Sequence, residues 1–169
     1  IAGPPAGTTT SGDTDNDTAS NARFNQPYGI TTDGTNLYVS DTTNNKIRKI
    51  VIDNGTVTTL AGPPAGTTTA GDTDNATSSN ARFNSPAGIV IVDGMLYVAD
   101  WGGNKIRKVV ISSGAVTTFA GPPAGTTTSG DTDNDTASNA RFNTPYGISS
   151  DGTYIYVGDF GNNKVRRIE

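Results

Sequence analysis

The chain repeats itself. The segment AGPPAGTTT begins at Ala2, Ala61 and Ala120, and ARFN begins at Ala22, Ala81 and Ala140, so both recur at a spacing of 59 with no insertion or deletion between them. From Ala2 to Gly34 the first copy departs from the third only at Gln26/Thr144, Thr31/Ser149 and Thr32/Ser150, which makes the units interchangeable in structure. A period of this length marks a supersecondary unit that buries its faces against its neighbours rather than alone. The repeats run 2–60, 61–119 and 120–169 within a single segment, 1–169, and the last is truncated.

Each copy reads as four strands. Gly29–Thr32 follows Pro27, a residue tolerated where a strand begins because it cannot donate to the ladder. Asp33-Gly34-Thr35-Asn36 accepts the positive φ of a tight turn, and the aromatic and β-branched run Leu37-Tyr38-Val39-Ser40 beyond it completes a hairpin ending at Asp41. A second turn over 42–45 leads into Lys46–Ile52, and Asp53-Asn54-Gly55 turns the chain into Thr56–Leu60. Hydrophobic residues make up only 33% of the chain. That share, with abundant Gly, Thr, Asn and Asp, belongs to short strands joined by polar turns rather than to helices. The expected fold is all-β, a β-propeller segment of four-stranded antiparallel blades, three to the chain.

The stretches PYGITTDGTNLYVSDTTNNKIRKI, PAGIVIVDGMLYVADWGGNKIRKV and PYGISSDGTYIYVGDFGNNKVRRI resemble the NHL-repeat pattern of PxGI, DG, LYVAD and NxxIRK. The resemblance covers about 24 residues of each 59 in all three copies. It implies a propeller, commonly six-bladed, so that three blades are half a ring. It does not imply one activity, since propellers of this kind include RNA-binding, protein-binding and, among relatives, metal-dependent lyases and hydrolases. One departure stands out: Pro4 to Asn25 is far longer than a usual blade-to-blade connection, and anything distinctive about the protein is expected there.

Several function classes fall away on composition. The chain has no cysteine and no histidine, which removes disulfides, thiolate sites and the commonest metal ligand and general base. A net charge of −4 lacks the positive field that attracts nucleic acid. No apolar run approaches the roughly 20 residues needed to span a bilayer, so no membrane insertion is expected. An acidic, Thr/Asn-rich, cysteine-free chain fits a bacterial extracellular or cell-surface setting.

Three groups of residues invite a functional reading. Asp13, Asp15 and Asp17 alternate in GDTDNDT, as do Asp72 and Asp74 in the second copy and Asp131, Asp133 and Asp135 in the third. Oxygens at positions one, three and five open a calcium loop, but the Gly at six and Glu at twelve of an EF-hand are absent and Ala76 replaces one carboxylate. A solvated turn with Asp capping the next segment is the preferred alternative, and calcium remains the only candidate cofactor. Basic residues fall only at Arg23, Lys46, Arg48, Lys49 and their equivalents, and Asp41–Arg48, Asp100–Arg107 and Asp159–Arg166 are expected as inter-strand or inter-blade ion pairs. Thr18–Phe24 suggests one helical turn, with Phe24, Phe83 and Phe142 as plugs between blades.

Tyr28 and Tyr146 lie at the expected mouth of the central channel, and Trp101 and Phe160 replace Thr42 in a turn; these four are the candidate contact residues. Asp33, Asp93 and Asp151 are the acids nearest the inner strand, but their DG turns explain them without chemistry. The expected function is a non-catalytic scaffold or interaction module that associates with itself to complete a ring or a filament. The alternatives are a glycan- or protein-binding propeller and, behind it, a calcium-dependent hydrolase or lyase. Strand three of the last repeat, Lys164–Ile168, is expected to present an unpaired edge, because the equivalents of Ile52–Thr59 lie beyond Glu169.

Overall fold

The computed structural model describes residues 1–134 and 136–169. It contains two four-stranded antiparallel sheets and one of three strands, each with its strands in sequence order. Blade 1 holds β1 (Pro27–Thr32), β2 (Asn36–Asp41), β3 (Lys46–Val51) and β4 (Val57–Ala61). Blade 2 holds β5 (Pro86–Val92), β6 (Met95–Asp100), β7 (Lys105–Val110) and β8 (Val116–Ala120). Blade 3 holds β9 (Pro145–Ser150), β10 (Ile155–Asp159) and β11 (Lys164–Ile168). The first strands begin at the proline, so Tyr28 sits inside β1 rather than just before it.

The register follows from the turns. Asp93 and Gly94 take φ of 48° and 73°. They close a two-residue hairpin between Val92 and Met95, the turn that fits the twist of the flanking strands. In blade 1 the acid falls one position earlier. There Asp33 accepts from the amides of Thr35 and Asn36, and the hairpin pairs Thr32 with Leu37. Each first strand carries an irregularity between its proline and its isoleucine, as at Pro27/Ile30. The non-glycine residues before those prolines, Gln26, Ser85 and Thr144, have φ of 53°, 56° and 51°.

The cores lie between blades. Tyr38, Ile47 and Ala61 on one face of blade 1 meet Phe83, Ile89, Leu96 and Val98 of blade 2. Ala99, Ile106 and Ala120 on the far face of blade 2 repeat the contact with Phe142, Ile155 and Val157 of blade 3. The innermost strands approach so closely that a Cβ placed on Gly29 would lie 2.4 Å from the Ala87 carbonyl oxygen. One placed on Gly88 would lie 2.5 Å from that of Tyr146, so only glycine fits at either position.

The long 4–25 segment folds back on its own blade instead of spanning loosely between blades. Asn16 pairs with Val57 of β4, and Asn75 pairs with Val116 of β8, so the segment adds a short rung outside the fourth strand. The helical turn expected within it is a 3-10 turn, Ala19–Asn21, with no side-chain cap from Thr18. Arg23 holds the turn by donating from Nη1 to the carbonyls of Ser20 and Ala22.

Candidate functional site

The alternate aspartates of the long segment converge on cations of their own blade. Lys46 Nζ donates to Asp13 Oδ2 at 2.8 Å, and Arg48 donates to Asp15 Oδ1 from Nε at 3.0 Å and Nη2 at 2.6 Å. Lys105 meets Asp72 at 2.8 Å and Arg107 meets Asp74 at 2.7 Å in blade 2, while Lys164 and Arg166 meet Asp131 and Asp133 in blade 3. Among the described residues no three His, Cys, Asp or Glu side chains gather closely enough to hold a metal ion. Among the described residues Asp17 makes no ion pair, and Asp135 lies outside them.

A second carboxylate closes each arginine from inside the blade. Arg48 Nη1 donates to Asp41 Oδ2 at 2.8 Å, Arg107 Nη1 to Asp100 at 3.0 Å and Arg166 Nη1 to Asp159 at 2.9 Å. The same guanidinium reaches the backbone carbonyls of Arg23 and Thr14 and lies 4.9 Å from the Phe24 ring centroid, with Phe83 and Phe142 under the equivalents. Lys46 and Arg48 share a strand face, and both are fully buried. Burial pushes the Asp41 carboxyl up, and it pushes Asp100 up to about 6 against the pull of Arg107. These groups join strand to loop, and in blade 2 the Arg107 Nε is left buried without a hydrogen-bond partner.

The aromatic candidates gather at one end of the inner strands. Tyr28 and Tyr146 come from the first and third blades, yet their ring centroids are 4.6 Å apart at an interplanar angle of 65°. The small side chain of Ala87 between them leaves the room that both rings use. Trp101 stands 5.6 Å from Tyr146, and Phe160 stands 6.2 Å from it. Burial and the neighbouring Tyr28 push the Tyr146 hydroxyl up. Tyr28, Trp101 and Phe160 remain exposed, and together with Tyr146 they form one continuous aromatic surface.

Blade 1 and blade 3 each leave one face uncovered. Ile47 and Ile106 are fully buried, whereas Val165, at the same position of β11, is 81% exposed. A Cβ placed on Gly147 meets nothing within 4 Å. At the other end Ile30 is exposed, while its equivalent Ile89 is buried. Asn45 and Asn104 act as latches across the covered faces. Asn45 Nδ2 donates to the Thr68 carbonyl and its Oδ1 accepts from the Ser85 amide, both at 2.8 Å, and Asn104 does the same with Thr127 and Thr144. These latches were missed in the sequence, where the repeated asparagine in an NK pair was the only sign of them.

No family profile matches the chain. A 94-residue stretch is 38% identical to human NHL repeat-containing protein 2, covering 52% of this chain and 12% of that protein. Among solved structures, an auxiliary nutrient binding protein from Bacteroides thetaiotaomicron is 25% identical with a TM-score of 0.69, covering 83% of this chain and 36% of that one. A streptogramin B lyase shares the fold at 19% identity and a TM-score of 0.53, over 84% of this chain and 37% of the lyase. The chain thus spans about an eighth of the length of that human relative and little more than a third of each of these two structures. Its sheets, the order of its strands and the PxGI, DG and LYVAD stretches within them agree on one description: the repeat unit of this chain is a β-propeller blade whose sequence is similar to NHL repeats.

Proposed function

We propose that the chain is a non-catalytic interaction module whose uncovered faces take further blades of its own kind, a second copy joining head to tail toward a six-bladed ring. The observation that carries this is the blade interface itself, made twice within the chain and open once at each end. Asn163 in blade 3 stands where Asn45 and Asn104 make their latches, and Thr9 and Gln26 in the first repeat occupy the positions of Thr68 and Ser85. The open surface on blade 3 runs over Tyr146, Gly147, Phe160 and Val165, and the counterparts of Val165 in blades 1 and 2, Ile47 and Ile106, are buried. A heterologous contact of this kind closes into a ring when the rotation per blade allows and grows as a filament when it does not.

Light scattering tests the proposal. The 17.4 kDa chain is expected at twice its mass, and Gly147→Val is expected to return it to a monomer with an unchanged melting temperature. The added side chain is free within one copy but meets the Tyr28 carbonyl of the second. A wild-type chain that stays monomeric and folded across concentrations overturns the reading.

The aromatic surface supports a second reading, a glycan- or protein-binding propeller. Rings clustered at a channel mouth are a common contact surface for ligands with apolar faces. Trp101 is the sole tryptophan of the chain, so its fluorescence reports on that surface directly. Quenching by a glycan that Tyr146→Ala abolishes would establish this reading. The lyase likeness is one of fold alone, and the carboxylates of Asp13, Asp15 and Asp33 are engaged by Lys, Arg, Tyr and backbone amides.

A further inference from the structure

Four asparagines stand in the pattern Asn-X-Thr with X other than proline: Asn16-Asp17-Thr18, Asn75-Ala76-Thr77, Asn134-Asp135-Thr136 and Asn54-Gly55-Thr56. The first three are one position of the repeat, and the fourth arises separately, in the turn between β3 and β4. All four carboxamides bend back onto the threonine. Oδ1 accepts from the threonine amide at 2.8 Å for Asn16 and Asn75, and at 2.9 Å for Asn54 and Asn134. The bond fixes each carboxamide through its oxygen and makes no use of its nitrogen.

The asparagines that tie loops to the blades use the nitrogen instead. Nδ2 donates to Asp33 from Asn36, to the Gly12 carbonyl and Asp41 from Asn44, to the Thr68 carbonyl from Asn45 and to the Thr127 carbonyl from Asn104. None of those four has serine or threonine two residues on. Among the described residues, Nδ2 of Asn16, Asn54 and Asn75 has no hydrogen-bond partner. A group joined to that nitrogen therefore breaks no contact of the fold.

Their positions leave room for such a group. The main chains of Asn16 and Asn75 pair with Val57 and Val116 on the outer side of the fourth strand, and Thr18 and Thr77 beside them are exposed. Asn54 is exposed at the tip of its turn. None of the three belongs to the clusters packed between blades. In blade 2 the turn of Asn54 forms without a carboxamide, Ser113 Oγ accepting from the Ala115 amide at 3.2 Å, so shaping the turn does not require the asparagine.

We propose that Asn16, Asn54 and Asn75 are acceptors for asparagine-linked sugar, the donor being a glycosyl phosphate carried on a lipid or a nucleotide. Nδ2 attacks the anomeric carbon and a C–N bond forms. The bond from that carbon to the phosphate oxygen breaks, the phosphate leaves with the electron pair, and the Nδ2 proton passes to a base of the transferase. The threonine hydroxyl is the second group that the transferase reads. Sugars at Asn16 and Asn75 cover the outermost edge of each blade, where unpaired backbone invites strand addition, and leave the faces between blades clear.

Mass spectrometry of the protein purified from the cells that make it tests the proposal. Peptide fragmentation is expected to place sugar on Asn16, Asn54 and Asn75 and none on Asn36, Asn44 or Asn45. An oligosaccharide attached whole identifies the lipid-linked donor, and single hexoses the nucleotide-linked one. Thr18→Val is expected to abolish the sugar at Asn16 and to keep that at Asn75, because it removes the hydroxyl and retains the amide that bonds Oδ1. Bare asparagine at all three positions overturns the proposal, as does sugar at Asn16 that survives Thr18→Val. Neither outcome bears on whether the unmodified chain doubles its mass in solution, so the two proposals are separately decided.

Discussion

The Gly66 amide donates to the Asp13 carboxylate at 2.9 Å, joining the opening turn of the second repeat to the aspartate segment of the first. The same carboxylate neutralises Lys46, which also reaches the Pro64 carbonyl of that turn. Asp72, Gly125 and Lys105 repeat the clasp one blade on. Asp131 pairs with Lys164, and that pair is largely exposed.

Removing these carboxylates therefore separates three sites of the same sequence by their burial and by the turn of the following repeat that Asp13 and Asp72 engage. Asp13→Ala strands a fully buried ammonium and is expected to cost about 3–5 kcal/mol. Asp131→Ala, at a solvated pair, is expected to cost less than about 1 kcal/mol. Urea denaturation measures both. Repeating the Asp13 measurement with and without calcium is expected to give the same loss, because the carboxylate acts on Lys46.

The first hairpin carries a pH signature. Hydrogen bonds from the Tyr38 hydroxyl, at 2.7 Å, and from Asn36 hold the Asp33 carboxyl well below its ordinary value of 3.8. A depressed carboxylate stabilises the fold above that value, and the contribution is lost as pH falls through the folded pKa. Tyr38→Phe is expected to move the Asp33 titration upward by NMR, and the stability gap between variant and wild type to shrink below pH 3.8. Asp151 and Tyr156 should respond alike, with a bond of 2.8 Å.

The strands were legible because their cues are local. Leu37–Ser40 alternates across a sheet, Pro27 marks a start, and the DG pairs mark hairpins. The Asp41–Arg48 pair was legible too, since two adjacent strands place those residues in neighbouring positions of the ladder. The partners of Asp13 and Asp15 were not, because Lys46 and Arg48 lie 33 residues away and no spacing rule connects a loop to the blade it wraps. A signal did exist: every repeat carries the same two acids and the same two bases. The left-handed Gln26, Ser85 and Thr144 escaped notice because none is a residue that prefers that conformation.

The phenylalanines beneath the arginines should differ by blade. Phe83 and Phe142 are enclosed by the preceding blade, while Phe24 faces the uncovered side of blade 1 and is only partly buried. Phe83→Ala is expected to cost about 3–5 kcal/mol, the range for emptying an aromatic site in a packed core. Phe24→Ala should cost clearly less by the same thermal or urea measurement. Equal losses would mean that the guanidinium contact, common to both, outweighs burial.

Arg107→Met tests what holds the middle blade. The methionine fills much of the same volume over Phe83 but supplies no charge, leaving Asp100 fully buried with its Asn84 amide contact, no cation bonded to it and only the field of Lys105 across the ladder. Asp100 already titrates near 6 because burial outweighs the arginine, so without that arginine it titrates higher still. A carboxyl whose folded pKa is raised favours the fold when protonated, and that contribution is lost as pH rises through the folded pKa. The deficit of Arg107→Met relative to wild type is therefore expected to be largest at pH 7 and to shrink steadily toward pH 4.5 in urea titrations. Asp100→Asn in the same background, neutral at every pH, should remove that dependence. A deficit independent of pH in the single variant would show that the four hydrogen bonds donated by Arg107, rather than its charge, hold the loop to the blade.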